Sequence, residues 1–214
     1  MDWLDLIAFA WFALVAAQVS PGPNLVAVAA SGMTRGRRNA LFVVSGLACG
    51  MLLWSAATAA GLSALIQAFP HSLIALKMAG GSYLLYLGVK SARSISKEGV
   101  GPIAEVEHIP GHNFEAWRQG LTVVLTNPKA ALMWAAVGAF LFGHGLSALH
   151  VLALGPLSAL SGVVIYGAYA WLFTTEVAMN GYSRLRRRIE GAFAIAFGGM
   201  GTSLLFSALR EMRG

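Results

Sequence analysis

Charged residues are scarce in this sequence. Asp, Glu, Lys and Arg make up only 11% of the 214 residues, whereas 57% are hydrophobic. Soluble domains contain about 25% charged residues. A chain so poor in charge cannot cover its surface with groups that favour water, and its mean hydropathy of +0.67 indicates that most of that surface faces lipid.

Cysteine is nearly absent as well. Cys49 is the single cysteine, so no disulfide can form within the chain, and a membrane electron carrier that works through a pair of thiols is excluded. No Lys or Arg precedes Arg35, and the first apolar run is too long for the core of a signal peptide. We therefore interpret this run as a retained first helix.

Six apolar stretches are long enough to cross a bilayer as helices, which takes roughly 20 residues. They cover residues 3–30, 40–65, 70–89, 121–142, 146–173 and 191–209. The links between them are short except for residues 90–120, which hold four Glu, two His and two Pro and are predicted to form a polar loop. The predicted fold is an all-α polytopic membrane protein with one transmembrane domain over residues 1–214.

The basic residues are placed unevenly along the chain. Six spans put eleven of them on one side of the membrane, namely Arg35, Arg37, Arg38, Lys90, Arg93, Lys97, Arg118, Arg184, Arg186, Arg187 and Arg188. Only Arg210 and Arg213 fall on the other side. The positive-inside rule then places the loop 90–120 in the cytoplasm and both termini outside. The same rule accounts for the positive charge, so no nucleic-acid partner is expected, although the last cluster can contact anionic lipid headgroups.

Two proline motifs interrupt the apolar stretches. The first is Ser20-Pro21-Gly22-Pro23-Asn24 and the second is Asn127-Pro128-Lys129. A helix break in lipid leaves backbone groups without partners, so it is tolerated mainly where it lines a cavity. Counted from Arg35 and Arg118, both motifs lie roughly 15 Å from the cytoplasmic surface, near the middle of a ~30 Å hydrocarbon core.

Each motif is typical of a helix that starts again. Ser20 and Asn127 are predicted N-caps, with proline following at the first helical position. Two such helix starts, each with a partial positive charge and free N–H groups, would suit an anionic group such as a carboxylate. With three spans in each half, the two breaks suggest a 3+3 inverted repeat with helices 1 and 4 interrupted. The alternative is that both motifs are ordinary proline kinks.

Charged and aromatic residues within the spans add further candidates. Lys129 lies near the midplane, where a lysine is expected to face a cavity or a partner; it either binds a substrate carboxylate or bonds the carbonyls freed at the break. Lys77 lies nearer the outer face, where its ammonium can reach the interface. Candidates for a substrate path or for proton coupling are Lys77, Tyr83, Tyr166, Tyr169 and Glu176.

Four segments together resemble the LysE/RhtB family of amino-acid exporters. Besides the two proline motifs, residues 35–40 read RGRRNA and residues 80–88 read GGSYLLYLG. The resemblance implies a non-enzymatic, cofactor-free carrier, a homodimer of the bacterial inner membrane. It also implies efflux of amino acids or their derivatives in exchange for protons. Many family members carry Asp where this chain has Asn24, which can form only neutral hydrogen bonds.

Two other functions are weighed against amino-acid efflux. Export of a divalent cation such as cadmium would require soft or anionic ligands in the membrane, and the chain offers one Cys and no carboxylate near the midplane. The long loop contains Glu105, Glu107, His108 and His112, but their spacing does not match a structural metal site, so no metal is expected. A purely structural membrane protein would leave the paired helix breaks unexplained.

The charge pattern predicts the topology of the chain. Reporter fusions placed after Gly214 should be active outside the cytoplasm, and fusions near Pro110 should be active inside it, because positive charge is retained on the cytoplasmic side. A C-terminal reporter that is active in the cytoplasm would contradict the six-span topology.

Overall fold

The computed structural model of the protein describes residues 2–20, 22–69, 71–94, 112–172 and 176–212. Within these ranges the chain forms helices and no strand, in agreement with the predicted all-α class. The elements are α1 (Trp3–Val19), α2 (Pro23–Ala57), a π-helical turn (Thr58–Leu62), α3 (Ser63–Ala68), α4 (Ser72–Ser94), α5 (Asn113–Thr126), α6 (Pro128–Gly143), α7 (Ala148–Leu172) and α8 (Glu176–Glu211).

Several helices extend beyond the predicted apolar stretches. Helix α4 continues to Ser94 and α5 begins at Asn113, so both ends of the predicted loop 90–120 are helical. Helix α8 begins at Glu176, well before the predicted start at residue 191. Hydropathy marks only the apolar part of a helix, whereas backbone hydrogen bonding continues into polar residues, and this is why the predicted bounds are too short.

Helix α2 turns at Gly36, inside the segment that we predicted to link the first two spans. Gly36 has a φ of 81°, a left-handed conformation that glycine adopts without steric cost. A Cβ at this position would meet nothing within 4 Å, so the backbone conformation, not the available space, requires glycine. The predicted link at residues 31–39 is therefore helical on both sides of Gly36.

The helices pack in two groups. Helix α2 packs against α5 and α7, and α4 packs against α8 and α6. Buried apolar side chains form one cluster mainly from α1, α6, α8 and the start of α7, and a second cluster from α2, α5 and α7. The two proline breaks lie where these clusters meet.

Glycines bring α2 and α5 into backbone contact. A methyl group placed on Gly46 would lie 2.0 Å from the Trp117 carbonyl oxygen, and one on Gly120 would lie 2.0 Å from the Val43 carbonyl oxygen. The approach is reciprocal, because each helix contributes one glycine facing the backbone of the other. Close helix packing through small residues is the usual source of helix association in lipid.

Helix α7 contains a proline that is not among the predicted break positions. Pro156 lies inside this helix and has no N–H, so the Leu152 carbonyl four residues earlier loses its helical donor. The hydroxyl of Ser55 on α2 lies 3.0 Å from that carbonyl oxygen and donates to it. Ser55 is completely buried, and it satisfies a backbone group that would otherwise be left without a partner.

Length and composition identify some of the described helices as able to cross a membrane. They are Pro23–Leu62 and Ala148–Leu172, and the pair α5 and α6 counts as a third if its 57° bend lies within one span. Helix α1 is apolar but has only 17 residues. These findings fit a helical membrane protein, and the full six-span inverted repeat stays a prediction.

The glycine contact between α2 and α5 predicts a loss of stability on substitution. Gly46→Ala and Gly120→Ala should each lower the free energy of unfolding by about 1–3 kcal/mol, because the added methyl group forces two backbones apart. Thermal unfolding of the purified protein in detergent measures this effect. Gly167→Ala is the matched control, since a methyl group there meets nothing within 4 Å. Equal stability of all three variants would contradict the close approach.

Candidate functional site

The first helix break lies between α1 and α2. Helix α1 ends at Val19 and α2 begins at Pro23, as the first motif predicts, and Pro21 lies outside the described residues. The N-cap of α2 is Gly22, in an extended conformation and without a side-chain cap. Our assignment of Ser20 as the N-cap is wrong: Ser20 closes α1, and its N–H donates to the Ala16 carbonyl. The start of α2 is therefore not capped by any side chain.

The second break lies between α5 and α6 and follows the prediction. Asn127 ends α5 and is also the N-cap of α6, where its side-chain oxygen accepts from the Lys129 N–H at 3.0 Å. Pro128 takes the first helical position, where its missing N–H is not needed. The axes of the two helices differ by 57°. This helix start is capped, in contrast to the start of α2.

Three side-chain contacts hold the two breaks together. Asn127 Nδ2 donates to Asn24 Oδ1 at 3.0 Å, and Asn24 Nδ2 donates to the Tyr166 hydroxyl at 3.3 Å. Lys129 Nζ donates to the Ser20 carbonyl oxygen at 3.4 Å. Both asparagines are buried. The two proline motifs, more than a hundred residues apart in sequence, thus form one polar site.

Two aromatic side chains satisfy carbonyl groups at the ends of the helices that precede the breaks. The Tyr169 hydroxyl donates to the Val19 carbonyl at 3.1 Å, and Trp54 Nε1 donates to the Val124 carbonyl at 3.0 Å. The last four carbonyls of a helix have no partner within it. Tyr169 is a predicted substrate-path residue, whereas Trp54 is not among the predicted candidates, because nothing in the local sequence shows which carbonyl an indole reaches.

A cavity lies at the meeting point of the two breaks. Its volume is about 40 Å³. The residues that line it are Leu14, Ala17, Gln18, Asn24, Met51, Val124, Asn127, Lys129, Ala130, Met133, Trp134, Ser158 and Tyr166. Four of the predicted site residues, Asn24, Asn127, Lys129 and Tyr166, are therefore brought together at one place.

Gln18 and Ser158 are cavity residues that the sequence analysis missed. Gln18 Nε2 lies 2.9 Å from both the carbonyl and the hydroxyl oxygen of Ser158, and its Oε1 accepts from Ser161 at 2.9 Å. A buried glutamine two residues before Ser20 was the available signal in the sequence. Its partners lie some 140 residues further on, and only the packing of α1 against α7 identifies them.

The polar lining of the cavity combines amides, hydroxyls and a lysine. Among the described lining residues, Lys129 supplies an ammonium group and no Asp or Glu is present. The first N–H groups of α2 belong to Asn24 and Leu25, because Pro23 has none and the Val26 N–H already bonds to the Gly22 carbonyl. An uncapped helix start beside a lysine is chemically suited to a carboxylate.

Two other predicted candidates, Lys77 and Tyr83, lie elsewhere. Only 1% of Lys77 is exposed, and its ammonium contacts the Ser207 hydroxyl and the carboxylate of Glu211, which is 41% exposed at the end of α8. Tyr83 stands on α4 beside Tyr86 and does not line the cavity.

The remaining candidates fall largely outside the described structure. Glu176 begins α8, but its side chain lies outside the described part of the molecule. So do Glu105, Glu107 and His108 of the long loop. Among the side chains that are described, no group of three or more His, Cys, Asp or Glu residues could hold a metal ion.

A sequence model of LysE type translocators matches residues 15–208. The chain belongs to the LysE type translocator family. Among curated family relatives, the threonine efflux protein of Escherichia coli K12 is 29% identical over 197 residues, which are 90% of this chain and 94% of the relative. No solved structure matches the chain significantly.

Other relatives cover nearly as much of the chain. The homoserine/homoserine lactone efflux protein of Salmonella typhimurium is 26% identical over 195 residues, 87% of this chain and 91% of the relative. An uncharacterized membrane protein of Haemophilus influenzae is 23% identical over 210 residues, 98% of either chain. The likeness to this translocator family therefore extends over both helix breaks.

Removal of one hydroxyl group tests the hydrogen bond from Tyr169 to the Val19 carbonyl at the first break. Tyr169→Phe should lower the free energy of unfolding by about 1 kcal/mol, because the partly buried Val19 carbonyl loses a donor. Thermal unfolding in detergent should show a midpoint lower by about 2–4 °C. Tyr83→Phe is the control, since the Tyr83 hydroxyl has no hydrogen-bond partner among the described residues. An unchanged midpoint for Tyr169→Phe would rule out a stabilising role for this contact.

Proposed function

We propose that the protein exports amino acids or small amino-acid derivatives across the bacterial inner membrane. One observation carries the proposal: two interrupted helices meet at a cavity that holds Lys129 and the uncapped start of α2. Interrupted helices at matched positions of two halves are typical of substrate sites in secondary transporters. The efflux functions named for the threonine and homoserine relatives support the same class of cargo.

The cargo carboxylate is proposed to bind between Lys129 and the start of α2. A Cβ at Gly22 would lie 3.8 Å from the Cδ and Nζ atoms of Lys129, so the lysine ammonium and the helix start are immediate neighbours. The N–H groups of Asn24 and Leu25 point along the axis of α2 towards its start, as in any helix. A carboxylate placed there would be bound by an ionic contact and by backbone donors together.

Transport requires the cavity to widen. A volume of about 40 Å³ has room for about three water molecules at 10–15 Å³ each, which is less than a free amino acid needs. We infer that the structure represents a closed state and that the helices around the breaks move to admit cargo from the cytoplasm. The bends at Gly36 and Asn127, and the missing backbone hydrogen bond at Pro156, are the positions where such movement costs least backbone hydrogen bonding.

The finer features of the carrier belong to the same proposal. They are six spans in a 3+3 inverted repeat, both termini outside the cytoplasm, a homodimer in contact with membrane lipids, and an inward proton gradient that drives export. Lys77 with Glu211, and Glu176, are the proposed candidates for proton coupling apart from the cavity. The cadmium alternative gains no support, because the described lining of the cavity contains no carboxylate and no thiolate.

The test is export from whole cells. Cells that overproduce the protein are loaded with labelled amino acids, and appearance of label outside should be faster than from cells with an empty vector for at least one small amino acid. Collapse of the proton gradient should abolish export against a concentration difference. Equal efflux from both cell lines for every amino acid would overturn the proposal.

Substitution of Lys129 tests the proposed carboxylate site most directly. Lys129→Met should remove export by at least about tenfold while the protein still inserts at normal abundance, because Met keeps length and an apolar stem but loses the charge. Lys129→Arg should restore little, since a planar guanidinium does not replace a compact ammonium. Export at the parental rate by Lys129→Met, with normal abundance, would show that this lysine is structural.

A further inference from the structure

Gln18 is held in one orientation inside the cavity. Its side chain is only 6% exposed. Both of its amide hydrogens face Ser158, whose carbonyl and hydroxyl oxygens lie 2.9 Å from Nε2, and the Met51 sulfur lies at 3.6 Å. Oε1 accepts from the Ser161 hydroxyl at 2.9 Å. An amide fixed from both ends keeps a constant orientation in the lining of the cavity.

The Ser158 hydroxyl has hydrogen-bonding capacity that the described residues leave unused. Ser158 is 1% exposed and lines the cavity. Its oxygen accepts from Gln18 Nε2, and no acceptor for its own proton occurs among the described residues. Gln18 Oε1 accepts one hydrogen bond from Ser161, whereas an amide oxygen can accept two. The buried wall formed by α1 and α7 therefore offers one free donor and one free acceptor side by side.

A donor beside an acceptor is complementary to a hydroxyl group, which can accept and donate at once. A carboxylate does not match this wall, because it can only accept. Lys129 and the start of α2, on the other lining elements, provide the donors that a carboxylate needs. The two polar parts of the cavity are thus suited to two different groups of one small molecule.

We propose that Gln18 and Ser158 bind a hydroxyl group on the side chain of the cargo and so select hydroxylated amino acids over aliphatic ones of equal size. This inference rests on the proposed export of amino acids. The Ser158 hydroxyl donates to the cargo oxygen, and the cargo hydroxyl donates to Gln18 Oε1. Ser161 acts as a positioning residue that fixes the amide of Gln18.

The size of the effect follows from what an aliphatic cargo would leave unsatisfied. Threonine and valine have nearly the same shape and differ by a hydroxyl in place of a methyl group. Binding of valine would bury the Ser158 hydroxyl proton and the second lone pair of Gln18 without partners. Leaving buried polar groups unpaired in this way should favour threonine by about 10- to 100-fold.

The experiment uses the purified full-length protein in proteoliposomes that take up labelled threonine, with unlabelled threonine and valine as competitors. For the parental protein the concentration of valine that halves uptake should exceed that of threonine by at least about tenfold. Ser158→Ala should bring the two concentrations within about twofold of each other, because the free donor is gone. Ser158→Ala keeps the backbone carbonyl that binds Gln18, so the contact between α1 and α7 is retained.

Two further variants complete the test. Gln18→Met keeps the length of the side chain and should reduce the preference in the same way as Ser158→Ala. Ser45→Ala is the matched control, because the Ser45 hydroxyl donates only within its own helix, to the Phe42 carbonyl, and its preference should equal that of the parent. If Gln18→Met fails to fold, the result for Ser158→Ala decides.

Three outcomes are informative in different ways. Equal competition by threonine and valine in the parental protein would overturn the selection of a hydroxyl while leaving amino-acid export intact. A threonine preference unchanged in the folded Ser158→Ala protein would overturn the assignment to this wall. No uptake or competition by any amino acid would overturn the proposed function itself, and this inference with it.

Discussion

The structure depends on how it satisfies the backbone groups that two helix breaks set free. A carbonyl or N–H group without a partner costs several kcal/mol in a medium without water. Around the breaks, Asn127, Tyr169 and Trp54 each supply a hydrogen bond to such a group. Ser55 does the same at the proline of α7. The helix start at Gly22, by contrast, has no side-chain cap.

That difference gives the site its chemical character. Because the start of α6 is capped by Asn127 and the start of α2 is not, donors remain available on one side of the cavity only, beside Lys129. The hydrogen bond from Asn127 to Asn24 joins the two breaks directly. In the proposed transport cycle, this contact is a direct link between the two half-helices that would have to move around the cargo.

Membership of the LysE type translocator family defines the broad class of protein. At the junction of the two breaks, Asn24 is a neutral amide that hydrogen-bonds with Asn127 and Tyr166. The polar wall of the cavity therefore consists of amides, hydroxyls and one lysine among the described residues. Gln18 and Ser158 add a neutral polar pair that provides a physical basis for choosing between cargoes of similar size.

The amino-acid sequence determined the class and the position of the breaks. Low charge and long apolar stretches require lipid contact, and proline removes a helical hydrogen bond wherever it occurs, so both features are local. Asn127 as an N-cap and Pro128 at the first helical position were predictable for the same reason. The residues at which the helices begin and end were less predictable. A helix continues into polar residues, and hydropathy marks only its apolar part.

Only the tertiary structure decided which side chains meet. The N-cap of α2 is Gly22 and not the predicted Ser20, because Ser20 ends α1. Which residue begins α2 depends on the path of the backbone between two packed helices. Packing of α4 against α8 buries Lys77 against Glu211, a contact that the position of Lys77 in the sequence does not show. The indole of Trp54 and the hydroxyl of Ser158 reach partners 70 and 140 residues away. No local pattern contains these contacts, since they arise from helix packing, whereas helix breaks arise from the covalent chemistry of proline itself.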